Sequence, residues 1–199
     1  MIADCTALIL AGGESRRMGR DKANLVLDGQ TLLQSVAAKM SPLFAEVIVS
    51  VRQPRPEIAL AQVCDDAAYV GPLAGLAAGL ERMHTPWLFA VACDMPFISP
   101  GLVEYLAGQR TDFQAVVPMV RGYPQPLAAF YAASTLLAVR DTLNGRGKHS
   151  LRALLEGLRV RYINESEMLE VDPGLASFFD LDTPQEYAQA TSRVLPRNI

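Results

Sequence analysis

Three short stretches of this sequence are apolar at nearly every position: TALIL (6–10), EVIVSV (46–51) and WLFAVA (87–92). A strand with one face in water alternates polar and apolar residues, whereas a strand covered on both faces does not. Between these runs lie segments with helical spacing. Thr31 is placed to cap a helix over Leu32–Met40, which Pro42 closes. Leu73–Met83 repeats apolar residues at helical intervals, with Gly75 and Gly79 permitting close packing. Ser99-Pro100 is a capped helix start, running to about Gln109. Strands are also expected at Ala3–Leu10, Ala61–Cys64, Ala115–Met119 and Leu127–Tyr131, with weaker ones at Arg159–Asn164 and Ser177–Leu181. Further helices are expected over Ala132–Leu143, from Ser150 to Glu156, and from near Pro184. Strands alternating with helices predict a three-layer α/β/α sandwich around a mainly parallel, Rossmann-like sheet. No stretch rich in Pro, Gly or Ser divides the 199 residues, so one domain over 1–199 is expected.

Sheets of this kind bind ligands at the carboxyl ends of their strands. The first apolar run exits there into LAGGESRRMGRDK (10–22). Gly12 and Gly13 let backbone amides approach a ligand with no Cβ in the way. Successive N–H groups in such a turn form an anion-binding hollow. Arg16, Arg17, Arg20 and Lys22 face only Glu14 and Asp21 there, in a chain of net charge −3. The pattern suits an oligophosphate; the alternative is a turn with a solvated basic face. Neither GxxxxGK[ST] nor GxGxxG is present, since five residues separate Gly13 from Gly19.

Asp94 follows WLFAVA and so falls at a neighbouring strand end. A carboxylate there suits Mg²⁺, which takes one or two carboxylates and completes its shell with phosphate oxygens and water; the alternative is a cap on the turn before Pro96. Asp65 and Asp66, and Asp180 and Asp182, are further acidic pairs in loops. Asp182 reads as a metal ligand or as the cap of the turn at Thr183-Pro184, and the cap is the preferred reading. Arg146 and Lys148 in NGRGKHS form a basic glycine-containing loop, either a grip for an acceptor phosphate or a solvated turn. Gln125, between two prolines, is a weaker pocket candidate.

Other chemistries find little support. His84 and His149 have no Cys or Glu at ligand spacing, and no GxSxG occurs. A pI near 5.4 argues against nucleic acid or an anionic membrane as partner. The longest apolar run is too short to span a bilayer, and no signal peptide is readable at the N-terminus. Cys5, Cys64 and Cys93 form no CxxC pair and read as reduced thiols of a cytoplasmic protein.

LAGGESRRMGRDK resembles the signature loop of the small nucleotidyltransferases, and above all that of the molybdenum cofactor guanylyltransferase family, close to LAGGxSxRMGxDK. The likeness continues through LVLDGQTLLQ, GPLAGL and CDMPF, and more loosely through PQPLAAFY and DLDTPQEY. The resemblance implies transfer of GMP from GTP to the terminal phosphate of molybdopterin, with Mg²⁺ as cofactor and pyrophosphate as product. It places Leu10, Ala11, Gly12 and Gly13 against the nucleotide, Arg16 and Lys22 at the phosphates, and Asp94 on the metal. Asp66 and Ser50 would contact the nucleotide, although Ser50 stands where the family often has Asn, and Asp180 and Asp182 stand in a stretch where it often has Asn. Arg16, Lys22 and Asp94 would be the catalytic residues. Proteins that deliver molybdopterin or mature molybdoenzymes are the implied protein partners. Two alternatives remain at the level of sequence: a related transferase using CTP or a sugar phosphate, and a nucleotide-binding regulatory module without transfer activity.

Overall fold

The computed structural model describes residues 1–12, 22–66, 68–179, 181 and 186–187. Gly13, Arg16, Arg17 and Arg20 of the basic loop, and Asp180 and Asp182, lie outside the described residues.

The main sheet is built from β1 (Cys5–Leu10), β4 (Glu46–Val51), β5 (Ala61–Cys64), β6 (Trp87–Ala92), β7 (Ala115–Val120), β9 (Ala128–Ala132) and β10 (Val160–Ile163). A small hairpin, β2 (Val26–Leu27) and β3 (Gln30–Thr31), forms a separate two-stranded sheet, and β8 (Tyr123–Pro124) folds back on β7. The main order is β10-β7-β9-β6-β1-β4-β5. Only β9 opposes the rest: it pairs antiparallel with β6 and β7, while the other main pairings are parallel. The helices are α1 (Leu32–Met40), α2 (Pro72–Arg82), α3 (Pro100–Ala107), α4 (Leu136–Asn144), α5 (Leu151–Glu156) and α6 (Glu165–Met168).

The continuous apolar runs are covered on both faces. Along β6, Phe89 and Val91 enter one core with residues of α1, α3 and α6. Their neighbours Leu88 and Ala90 enter another with α2, α4 and α5. In β1, Ala7 and Ile9 face the first core and Leu8 the second. The result is the expected three-layer sandwich. Among the described residues no helix is long and apolar enough to cross a membrane.

The caps read from sequence recur in the fold. Thr31 and Gln34 form a reciprocal capping box on α1, Ser99 caps α3 and Ser150 caps α5. One strand expectation is overturned. The described residues of Ser177–Leu181 lie in no strand; Pro173–Phe178 forms 3-10 turns, with Gly174 and Leu175 at φ 75° and 54°. Leu175 and Phe178 pack against the first core, while Phe179 and Leu181 pack with Phe97 and Leu27. The segment from Ala132 begins with a 3-10 turn (Ala133–Thr135) before α4. The β2–β3 hairpin turns on Asp28-Gly29, both at positive φ, a dipeptide signal that the sequence reading passed over.

Helix α2 lies directly on β1 through two glycines. A Cβ at Gly79 would meet Leu8 Cδ2 at 2.5 Å, and one at Gly75 would meet Ser50 Oγ at 2.6 Å and Leu10 Cδ2 at 2.9 Å. Alanine at either position forces these side chains or the helix to shift. Gly79→Ala is expected to destabilise the protein by about 1–3 kcal/mol, the usual range for overpacking a filled core. Chemical denaturation with an unchanged m-value would register it as a lower midpoint.

Candidate active site

Three strand ends lie side by side. Leu10 of β1 is in register with Ser50 of β4 on one side and Ala92 of β6 on the other. The chain beyond β1 stays pinned between them: Ala11 N–H donates to Ser50 O (2.9 Å), and Leu10 O accepts from Cys93 N–H (3.1 Å). Two backbone groups expected to meet the nucleotide are therefore committed to the sheet. Gly12 N–H has no hydrogen-bond partner among the described residues.

Asp94 stands just past β6, and Lys22 opens a single 3-10 turn (Lys22–Asn24). Lys22 Nζ donates to Asp94 Oδ2 at 2.7 Å, and the two side chains are 19% and 16% exposed. They are 72 residues apart in sequence and meet at the same end of the sheet. Asp94 Oδ1 has no hydrogen-bond partner among the described residues.

A cavity of about 400 Å³ opens at Asp94, lined also by Leu73, Gln125, Leu127, His149 and Ser150. Pro72, the first residue of α2, belongs to the same wall. Gly71 caps α2 at φ 106° with no side-chain hydrogen bond, so the positive end of the helix dipole is presented without a capping acceptor. A larger groove of about 830 Å³ shares Ser150 with this cavity and is lined by Lys148, Arg152, Asp141 and Glu156. It does not touch Asp94, so the smaller cavity is the one beside the ion pair. Gln125 does line the cavity, and Lys148 faces the adjoining groove. His149, set aside in the sequence for want of metal-ligand spacing, joins the wall through its place beside the α5 cap. Proximity to NGRGK was the only signal that could have found it.

The two carboxylates of the acidic pair after β5 have different surroundings. Asp66, expected at the nucleotide, is exposed and accepts from Ala68 N–H at 2.8 Å. Asp65 turns inward. Its Oδ1 accepts from the Ser50 hydroxyl at 2.6 Å, and its Oδ2 would lie 3.3 Å from a Cβ at Gly12. Burial pushes the Asp65 carboxyl above the usual range, opposed by the Ser50 hydrogen bond and the Arg52 charge. Ser50 is itself 1% exposed, and a Cβ at Gly75 would lie 2.6 Å from its hydroxyl.

Among the described residues no cluster of three or more Asp, Glu, His or Cys could cage a metal. One half-buried carboxylate with an open oxygen fits a different mode, in which Mg²⁺ is shared between Asp94 and phosphate oxygens.

Lys22 and Asp94 thus meet at adjoining strand ends beside a cavity with a helix N-terminus in its wall, and the fold is one that nucleotidyltransferases share. The 2-C-methyl-D-erythritol 4-phosphate cytidylyltransferase from Thermus thermophilus superposes with a TM-score of 0.68 at 23% identity, covering 95% of this chain and 98% of its own. The chain belongs to the MobA-like NTP transferase family, whose domain model matches residues 7–164. A probable molybdenum cofactor guanylyltransferase from Pelotomaculum thermopropionicum is 34% identical over 195 residues, 97% of this chain and 94% of that one. The molybdenum cofactor guanylyltransferase from Syntrophotalea carbinolica is 31% identical, over 92% of this chain and 88% of its own. The crystal structure of molybdopterin-guanine dinucleotide biosynthesis protein A from Archaeoglobus fulgidus has a TM-score of 0.83 at 29% identity, over 94% and 97% of the two chains.

The buried carboxyl gives a pH signature. A raised folded pKa means that the native state holds its proton more tightly than the unfolded chain. Asp65 therefore makes stability fall as pH rises from about 3.8, the ordinary value, through the raised folded value. Asp65→Asn, which keeps an acceptor for Ser50, is expected to remove this component. The stability difference between wild type and variant, followed by denaturant melts across that window, should shift in the variant's favour as pH rises.

Proposed function

We propose that the protein transfers the GMP unit of GTP to the terminal phosphate of molybdopterin, releasing pyrophosphate. The observation that carries this reading is the Lys22–Asp94 contact at the mouth of the cavity, in a chain that aligns with guanylyltransferases over nearly its full length. The whole chain is taken as one catalytic unit, because the segment beyond residue 164 packs back on the Asp94 loop. We place it in the cytoplasm, a reducing compartment that suits its three cysteines, none of which is in a disulfide. Proteins that supply molybdopterin or receive the dinucleotide are its expected partners.

The reaction asks little of acid–base chemistry. An acceptor phosphate monoester has a second pKa of about 6 and is mostly a dianion at neutral pH. One of its oxygens attacks the α-phosphorus of GTP, the α–β bridging P–O bond breaks, and pyrophosphate leaves with its electron pair. No side chain has to remove a proton. The barrier lies in bringing two polyanions together and in carrying charge on the leaving group, so positioning and electrostatics supply the catalysis.

The residues divide these tasks. Gly12 N–H and Asp65 border the nucleotide, and the Asp65 carboxylate can accept from the N1–H and amino group of guanine. Lys22, held at the cavity by Asp94, supplies positive charge to the transferred and departing phosphates, with Arg16 assigned the same task. The α2 N-terminus adds its dipole from the opposite wall. Asp94 Oδ1 would hold Mg²⁺, which when bound neutralises phosphate charge. Lys148 and Gln125, on the side away from β4, suit the acceptor's phosphate.

Purified protein given each of the four nucleoside triphosphates, Mg²⁺ and a molybdopterin source should release pyrophosphate with GTP and form the guanine dinucleotide. Release with CTP in preference to GTP, or nucleotide binding with no release, would overturn the reading. Asp94→Ala should abolish turnover, and Lys22→Ala should lower it on the order of 10²-fold or more. Near-wild-type pyrophosphate release from both variants would remove these roles.

A further inference from the structure

Lys22 and Asp94 meet, yet the main sheet holds only one of them. Asp94 continues from β6, whereas Lys22 belongs to a lone turn that leads into the separate β2–β3 sheet. Ala23 roots that turn in the first core. Its other anchor is a small cluster of its own, in which Leu27 and Leu32 surround Leu181, with Leu25, Phe97 and Phe179 packed against it. Leu25 N–H in turn bonds Lys22 O (3.1 Å), and Leu32 N–H bonds Leu25 O (2.8 Å).

Leu181 comes from the C-terminal arm and is fully buried. Its N–H donates to the backbone carbonyl of Asp94 itself, at 3.2 Å. Around it the arm holds both partners. The Phe179 ring lies 6.0 Å from that of Phe97, three residues past Asp94. The Ser177 hydroxyl accepts from Ser99 N–H at 2.8 Å, and the Ser99 hydroxyl donates to Val171 O at 3.2 Å. On the Lys22 side, the Tyr187 hydroxyl donates to Val26 O. The arm thus makes hydrogen bonds to both segments and fills the space between them with one apolar cluster.

We propose that Leu181 is a positioning residue and the C-terminal arm a clamp, which presses the Lys22 turn against the Asp94 loop and sets the cation–carboxylate geometry needed for phosphoryl transfer. Leu181 touches no reacting atom and acts through Leu27 on one side and Asp94 O on the other. The kinetic part of this inference rests on the transfer reaction proposed above. The clamp itself does not.

The test is made on the full chain with Leu181→Ala, Leu181→Met and, against loss of folding in the first, Phe179→Ala. Steady-state pyrophosphate release and amide hydrogen exchange are measured together. The expected result is a kcat at least about tenfold lower for Leu181→Ala and Phe179→Ala, since misplacement by an ångström costs on the order of 10²-fold. KM for GTP should stay within about threefold, because Gly12 and Asp65 are held by the main sheet and not by the arm. Leu181→Met, of similar volume, should restore kcat to within about twofold. Exchange should quicken in residues 22–32 and 94–99 together and stay slow in β1 and β4. An unchanged kcat, a loss that Leu181→Met does not restore, or faster exchange across the whole sheet would overturn the clamp. If the wild type releases no pyrophosphate with any nucleotide, the transfer reading fails, and the exchange comparison alone decides the clamp.

Discussion

The contact between Lys22 and Asp94 is the constraint on which the site depends. It joins a cation delivered by the loop after β1 to a carboxylate delivered by the end of β6. Both are largely withdrawn from water, so their attraction is screened less than that of a surface pair. The same closeness matters for the proposed chemistry. A carboxylate alone at this place would repel a triphosphate. Paired, they hold a cation at the cavity mouth with a second carboxylate oxygen still open.

The rest of the molecule brings those two groups to one place. Parallel pairing of β1 with β4 and β6 puts the exits of all three at the same edge. The single reversed strand contributes in the opposite sense. Because β9 runs against its neighbours, its entry rather than its exit lies at that edge, so Gln125 and Leu127 line the cavity. Ala92 N–H seals this arrangement by donating to Leu127 O at 3.2 Å. Glycines at 75 and 79 let α2 lie close enough to β1 for the helix start to share the cavity wall.

Ser50 and Asp65 form a buried polar pair beside the end of β1. The Ser50 hydroxyl donates to Asp65 Oδ1, and Asp65 Oδ2 lies against Gly12. Gly75 is part of the same unit, since any side chain there would strike the Ser50 hydroxyl.

Much of the fold was legible in local pattern. The apolar runs at 46–51 and 87–92 and the expected short strand at 61–64 became strands with those limits, and α1 began and ended at its capping and proline signals. Burial on both faces leaves a continuous apolar signature, and caps are short-range hydrogen bonds, so neither needs knowledge of the rest of the chain. Lys22 and Asp94 were both singled out in the sequence, and they meet at one end of the sheet. What the sequence could not decide was pairing between distant groups. Asp65 and Asp66 are identical neighbours, and only the packing of Gly12, Ser50 and Gly75 turns one inward. The stretch at 177–181 satisfies a strand pattern, but Phe179 and Leu181 pack into the cluster of Phe97 and Leu27, a contact that the sequence does not mark. The sequence by itself determined which residues can bear the chemistry and which segments form layers; tertiary structure alone decided which of them touch, because contacts across tens of residues depend on how the layers close and leave no periodic trace in the chain.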